Sequence, residues 1–348
     1  MAHWRAEQQA RMYALEKLDN FRWISNIMAG YGRQELSEDD VVPETTLQYS
    51  GQFSEIVYSS VSPELLIKHY EILAQPEFPL EHFNALRDCI TAGSYRGTLA
   101  DVPTYIFIRR NSGQTQLVVS ICGTASPDQF RQDLRVLKTP HRSGHGNAHT
   151  GFLALYDGIK ADLMKGIQDL VITGHSMEGS IAYLLCLDLL ADYDAMISTL
   201  RIRIVSFGAP RTGDTQLVNY FHTKVEAFWQ RSGRASFVEY AVKGYSDGIP
   251  AVPPVIMGYQ HFCEEPFYSA YGRLYRVPTA DSEYATFRFK DGENQNRTLF
   301  PQGSHNYYNS RDLEGFRRKL DWLVEAKFPE PGWEDHYRDK LRDSNSRS

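Results

Sequence analysis

Gly174-His175-Ser176-Met177-Glu178-Gly179 stands between a short β-branched run, Leu170 to Thr173, and an apolar stretch without a breaker, Ser180 to Leu187. That order predicts a buried strand, a tight turn carrying a serine, and then a helix. A serine presented on such a turn attacks a carbonyl carbon, provided a base takes its proton and fixed donors hold the oxyanion. The usual pattern has a glycine two residues before the serine and another two after it, because both positions pack tightly. Gly174 fits the first, but Glu178 occupies the second and Gly179 comes one residue late. A carboxylate in the first helical turn suits the macrodipole, yet it opposes a nearby oxyanion. At about 7 Å and an effective dielectric of about 20 the penalty is roughly 2 kcal/mol. On this reading Glu178 slows the nucleophile, and Glu178→Gly is expected to raise kcat.

The partners of such a serine belong in the loops that follow strands. Asp247, in Tyr245-Ser246-Asp247-Gly248-Ile249-Pro250, comes directly after the predicted strand Phe237 to Val242 and before a proline-stiffened loop, a place for an acid that orients an imidazole. Asp214 is the rival acid, but Pro210-Arg211-Thr212-Gly213-Asp214 places it where a helix N-cap belongs. His305, in Gln302-Gly303-Ser304-His305-Asn306, lies on a loop just before the last predicted core helix and is the candidate base. Thr124, in Cys122-Gly123-Thr124-Ala125, follows another strand and offers an N–H and a hydroxyl to an oxyanion. Ser126 and Pro127 then start a short helix, and Asp128, Phe130 and Leu134 mark it as a candidate lid. The chemically bland alternatives are a helix cap for Ser176, a turn residue for Asp247, a surface histidine for His305 and an ordinary strand-to-helix turn at Thr124.

His141, His145 and His149 recur every four residues, but Pro140, Gly144 and Gly146 break any helix that would align them, so a solvated loop rather than a metal site is expected. His261 is expected to be a structural hydrogen-bonding residue. Neither a phosphate-cradling glycine loop nor an EF-hand spacing is present, so no cofactor and no metal are expected.

The elements that must position these residues follow from periodicity. Trp4 to Met28 carries apolar residues at helical spacing, and Ser62-Pro63 announces another helix. Residues 1–90 therefore read as a mostly helical extension packed on the core. From Tyr105 the pattern alternates, with a hairpin of Tyr105–Ile108 and Gln116–Ile121, a helix over Phe152–Ile167, strands at Leu170–Thr173, Ile202–Phe207 and Phe237–Val242, and helices near Leu217–Val225 and Leu313–Ala326. Strands alternating with helices predict an α/β fold with a mostly parallel central sheet covered on both faces, over residues 91–327. Residues 328–348 read as a charged appended tail.

The 37 basic and 43 acidic residues are mixed along the chain, with no basic stripe, so no nucleic-acid partner is expected on composition. No apolar run reaches the roughly 18 residues of a membrane span. No apolar signal region is visible at the N-terminus, which gives a cytoplasmic expectation, or secretion if a leader has been removed. Two of the four cysteines, Cys122 and Cys186, lie in core-like segments, which predicts buried free thiols. Asn296-Arg297-Thr298 is a glycosylation sequon of consequence only in a secreted chain.

Between Tyr105 and Tyr308 these motifs, in this order, resemble the class 3 lipases, the fungal lipase family with an α/β-hydrolase fold. The resemblance rests on Ile121-Cys122-Gly123-Thr124, Asp128 to Leu134, His149-Thr150-Gly151-Phe152, Phe207-Gly208-Ala209-Pro210-Arg211-Thr212-Gly213, Asp247 to Pro254, Gly258-Tyr259-Gln260-His261 and Ser304-His305. It implies a triad of Ser176, Asp247 and His305, with Thr124 and the backbone N–H of Met177 as the oxyanion hole. It also implies hydrolysis of acyl-lipid or related small-molecule esters without a cofactor, and transient contact with a membrane or lipid interface. Two residues depart from the pattern, Cys122 in place of an arginine and Glu178 in place of the glycine. The mixed polar and apolar lid segment points to soluble or partly dispersed esters rather than emulsified fat. A lipid-binding or scaffold protein whose catalysis Glu178 impairs, and acyl transfer to an acceptor other than water, are the alternatives.

Overall fold

The residues of Asp169–His175 are all buried, and those of the following helix, Met177–Asp192, are buried through Leu190. A strand apolar on both faces and a helix apolar all round have one stable place, the middle of a covered sheet. The computed structural model, which describes residues 21–37, 44–96, 103–111, 114–122, 138–149, 169–192, 200–270, 273–289, 305–308 and 312–347, puts them there.

In chain order the described elements are α1 (Arg22–Met28), β1 (Tyr31–Leu36), α2 (Glu44–Ile56), α3 (Pro63–Lys68), α4 (Tyr70–Leu73), β2 (Cys89–Arg96), β3 (Pro103–Asn111), β4 (Gln114–Ile121), β5 (Lys138–Pro140), β6 (Asn147–His149), β7 (Asp169–His175), α5 (Met177–Asp192), β8 (Arg201–Phe207), β9 (Gly213–Asp214), α6 (Thr215–Ser232), β10 (Phe237–Gly244), β11 (Tyr259–Gln260), β12 (Phe267–Ala270), β13 (Arg273–Arg276), β14 (Thr286–Phe289), α7 (Leu313–Glu325) and α8 (Trp333–Arg347). The main sheet runs β13-β12-β10-β8-β7-β4-β3-β2. Its five central strands, β4, β7, β8, β10 and β12, are parallel, and the antiparallel pairs lie towards its edges. The small sheet β11-β9-β6-β5 and the pair β1-β14 flank it. Among the described residues this is the α/β-hydrolase architecture expected, with a mostly parallel sheet between helical layers.

One layer holds α5 and α6, whose Ile181, Leu184, Leu187, Phe221 and Phe228 join Ile172, Ile202 and Ile204 in one cluster. The other holds helices before residue 90 together with α7 and α8: Phe53, Ile56, Leu66, Phe83, Leu320 and Tyr337 pack with Phe107, Val118 and Val171. Small polar residues let α2 lie close on the sheet. Ser54 and Thr173 hydroxyls are 2.7 Å apart, and the Ser120 hydroxyl donates to the Phe53 carbonyl at 2.7 Å. Ser62 caps α3 as expected, its hydroxyl accepting from the Leu65 N–H.

Two elements depart from the sequence reading. β1 lies in the stretch read as mostly helical; Tyr-Gly-Arg-Gln-Glu-Leu shows little alternation, and its parallel partner β14 is some 250 residues downstream, where local pattern carries no information. Most of residues 328–348 form α8, and Trp333 and Tyr337 bury their rings beside Phe78. All four cysteines are buried free thiols.

At the end of β10 the buried Lys243 ammonium donates to the carbonyls of Ser282 and Tyr284, clasping the sheet to the segment before β14. Burial lowers its pKa to about 7. Below about pH 7 both folded and unfolded chains hold that proton and the burial penalty is present in full. Between pH 7 and about 10 the unfolded chain binds more protons, so this residue makes stability rise with pH. Urea unfolding of wild type and Lys243→Met across pH 7–10 should show a flatter pH slope in the variant.

Candidate active site

The turn after β7 holds Ser176 at φ 63°, in the left-handed region that a non-glycine residue adopts only when its surroundings enforce it. Two features enforce it here. The Ser176 N–H donates to the Phe207 carbonyl at 2.8 Å, and the Gly179 N–H donates back to the Ser176 carbonyl at 3.1 Å. The turn also needs its glycines. A Cβ on Gly174 would sit 2.5 Å from the Glu178 carbonyl oxygen, and one on Gly179 would sit 2.7 Å from the Ala209 Cβ. Gly179, one residue late in the motif, is therefore the position that passes β8's following loop.

Ser176 meets two residues remote in sequence. Its Oγ lies 2.8 Å from His305 Nε2, and His305 Nδ1 lies 2.9 Å from Asp247 Oδ2. Asp247 is fully buried, and Ser176 and His305 nearly so, with 7% and 3% of their surface exposed. A carboxylate at that depth requires donors, and it has three. His305 Nδ1–H and the Tyr308 hydroxyl, at 2.7 Å, both serve Oδ2, while the Ile249 N–H serves Oδ1 at 2.9 Å. The Tyr308 oxygen in turn accepts from the Gly244 N–H at 2.8 Å, so one phenol bridges the end of β10 to the acid. Burial and the adjacent Asp247 push the Tyr308 phenol pKa far up, keeping it a donor. Gly208 makes room: a Cβ there would lie 2.7 Å from Asp247 Oδ2.

His175, next to Ser176, donates from Nε2 to the His305 backbone carbonyl at 2.6 Å, and the two rings lie 4.5 Å apart. Burial and the neighbouring His305 ring hold it well below the usual histidine range, so it is neutral. Glu178 is 1% exposed, and its Oε2 accepts from the Tyr58 hydroxyl at 3.0 Å. The charge-repulsion expectation set this carboxylate against the oxyanion; in the structure its Oε2 is engaged with a phenol from just beyond α2. Outside the row, Phe21 packs edge-on against the His305 ring, with 5.2 Å between centroids, and with Ile24 it covers Ile249 and Val252 of the acid loop.

Met177 opens α5, where first-turn N–H groups lack intrahelical partners and the dipole favours an anion. Thr124 and the lid candidates Asp128, Phe130 and Leu134 lie outside the described residues, as does the predicted helix Phe152–Ile167. Asp214 caps α6 by accepting from the Leu217 N–H at 3.0 Å, and is not part of the row. His261 donates to the Pro250 carbonyl at 2.9 Å. Arg211, 4% exposed, donates to the carbonyls of Ala251 and Pro253 and pairs with Glu283, fixing the far end of the acid loop. His141 turns to Ser143 and Asp188, whereas His145 stacks on Tyr220, and among the described residues no group of three could hold a metal ion. Tyr308 and Tyr58 were missed by the sequence reading. A tyrosine three residues after His305 was the available signal for the first; Tyr58 had none.

The family described as lipase (class 3) matches residues 118–257. That match makes the segment similar to the class 3 lipases. The secreted mono- and diacylglycerol lipase 1 of Fusarium solani is 24% identical over 186 residues, covering 51% of this chain and 50% of that protein. The Rhizomucor miehei lipase is 23% identical over 172 residues, 47% of this chain and 44% of the relative. The match thus spans about half the length of these curated relatives. The solved lipase from Rhizopus microsporus var. chinensis superposes with a TM-score of 0.55 at 17% identity, covering 80% of this chain and 91% of that one. The Rhizomucor miehei lipase propeptide complex gives 0.56 at 19%, covering 80% and 84%. At such identities the likeness shows the fold, and the fold is that of the α/β-hydrolases.

Tyr308→Phe leaves the Gly244 N–H and one Asp247 oxygen short of a partner in a buried place. It should destabilise the protein by about 1–3 kcal/mol, read as a lower urea midpoint.

Proposed function

We propose that the protein is a serine-dependent carboxylic ester hydrolase acting on acyl glycerols or related acyl esters. The observation that carries this is the buried row Ser176–His305–Asp247, with contacts of 2.8 and 2.9 Å, on a turn whose serine is held at positive φ. Class 3 lipase kinship, and relatives whose names specify mono- and diacylglycerol lipase and lipase, support the substrate class. The non-catalytic alternative drawn from Glu178 finds no support in a row so fully hydrogen-bonded.

In the reaction His305 Nε2 takes the Ser176 proton as Oγ attacks the ester carbonyl. Asp247 keeps Nδ1–H in place and stabilises the imidazolium. The oxyanion develops against the N-terminal end of α5, where the Met177 N–H is one donor, and Thr124 is assigned as the second donor from the family resemblance. Such donors contribute about 3–4 kcal/mol each in other serine hydrolases. His305 then protonates the leaving alcohol, and water repeats the sequence to release the acid.

Val255, Ile256 and Met257, directly beyond the acid loop, expose 45%, 95% and 45% of their surface. They offer a contact for a lipid interface beside the site. No described helix is long and apolar enough to cross a membrane. The relative named as secreted favours the secreted alternative over the cytoplasmic one.

A fluorophosphonate probe should label the wild type at Ser176, and Ser176→Ala should abolish labelling and lower p-nitrophenyl ester hydrolysis by about 10⁴-fold or more. Unchanged hydrolysis in that variant contradicts the proposal. Ile256→Asp should weaken sedimentation with phospholipid vesicles while leaving turnover of a soluble short-chain ester within about twofold.

A further inference from the structure

Glu178, the residue that breaks the elbow pattern, is buried against a tyrosine contributed from the other side of the sheet. Tyr58 Oη lies 3.0 Å from Glu178 Oε2 and 3.2 Å from His175 Nδ1. His175 Nε2 lies 2.6 Å from the His305 carbonyl oxygen. A carbonyl oxygen only accepts, so His175 carries its proton on Nε2, and in the neutral ring Nδ1 is an acceptor. Among the described residues the Tyr58 hydroxyl lies beside that acceptor, and its one hydrogen is shared between His175 Nδ1 and Glu178 Oε2. These contacts join the elbow helix α5, the α2 end and the loop of the base in one buried chain, Glu178–Tyr58–His175–His305.

We propose that Glu178 and Tyr58 are positioning residues for the base: through His175 they fix the backbone of His305, and with it the distances from its ring to Ser176 and Asp247. This rests on the esterase reading of the same row. His305 needs such a hold. Its ring is set by Ser176, Asp247 and Phe21, while on the backbone side its own carbonyl accepts from His175 and the Asn306 carbonyl accepts from the Leu313 N–H at 2.9 Å. A one-ångström drift of a base costs on the order of a hundredfold in rate. The ring of His175 is itself held edge-on by Tyr58 and Tyr308, so losing the Tyr58 contact frees its Nδ1 side. The ionisable groups around the chain are Cys122 and Arg317 beside Tyr58, Glu55 across a small cavity from His175, and Asp247 and Tyr308 at the base. On this account Glu178→Gly lowers kcat, the reverse of the expectation from sequence alone.

The test compares wild type, Glu178→Gly, Glu178→Gln, Tyr58→Phe and the Glu178→Gly/Tyr58→Phe double variant by the second-order rate of fluorophosphonate labelling at Ser176. Ester kcat and KM over pH 5–9 and melting temperature are measured alongside. Labelling and kcat should fall about ten- to hundredfold in Glu178→Gly and Tyr58→Phe with KM unchanged. The double variant should be no worse than the weaker single one, because both break one chain. Glu178→Gln, which keeps the length and a polar end towards Tyr58, should stay within about threefold of wild type. If wild type labels but folded Tyr58→Phe keeps its labelling rate and kcat, the positioning role is overturned, as it is if Glu178→Gly gains activity. Loss of melting temperature with labelling rate and kcat unchanged assigns the pair to stability only and also overturns it. A wild type that neither labels nor hydrolyses esters overturns the esterase reading itself.

Discussion

The hydrogen bond between His305 Nδ1 and Asp247 Oδ2 sets the terms for everything around it, because it places a carboxylate where no water reaches. Isolated burial of such a charge is prohibitive, and it stands only with donors supplied and fixed in advance. The Ile249 N–H comes from the chain just beyond Asp247, the Tyr308 hydroxyl from just beyond His305, and the imidazole N–H from His305 itself. Each donor therefore constrains a loop as well as a charge. The acid loop must turn back within two residues to present Ile249. The base loop must place position 308 and position 305 on the same oxygen.

Those loops meet because the sheet is parallel at its centre. β7, β8 and β10 end on one side, so the turns carrying Ser176, Gly208 and Asp247 are neighbours although far apart in the chain. Register tightens this. The Ser176 N–H reaches the last residue of β8, and the Gly208 N–H reaches Val242 of β10, so each turn is tied to the next strand over. Arg211 and Glu283 then anchor the outer end of the acid loop, with Arg211 donating to Ala251 and Pro253. A serine turn in a strained backbone region persists only when so much surrounding structure agrees on it.

Legibility in the sequence followed the range of the interactions. Ser176 was visible because strand, turn and helix are contiguous and each has its own periodicity. Asp247 and His305 were visible as polar residues on loops in the expected order. Asp214 was separable from Asp247 because capping is local, a matter of three residues to Leu217. Tyr58 was invisible: it lies 117 residues from His175 and 120 from Glu178, and nothing in its own neighbourhood marks it. The same holds for β1, whose partner strand is settled only by the closed fold. Thr124 and the lid segment, read from the sequence, fall outside the described residues.

The glutamate in the elbow shows what the usual motif encodes. A glycine two residues after the serine is commonly read as a steric necessity, yet here position 178 accepts a long side chain because that side chain leaves the turn towards α2 and ends on Tyr58. The steric requirement has not vanished; it has moved. Gly174 still faces the Glu178 backbone at 2.5 Å from where its Cβ would be, and Gly179 now carries the close approach to Ala209 and Ser206, at 2.7 and 3.1 Å. The turn thus keeps two glycines, one on each side of the serine, and only their spacing differs. What occupies the released position is then free to serve hydrogen bonding. The chain does so with a buried carboxylate, a group that would be unstable there without a donor. Glu178 and Tyr58 are for that reason a single feature: neither residue makes sense at its position without the other.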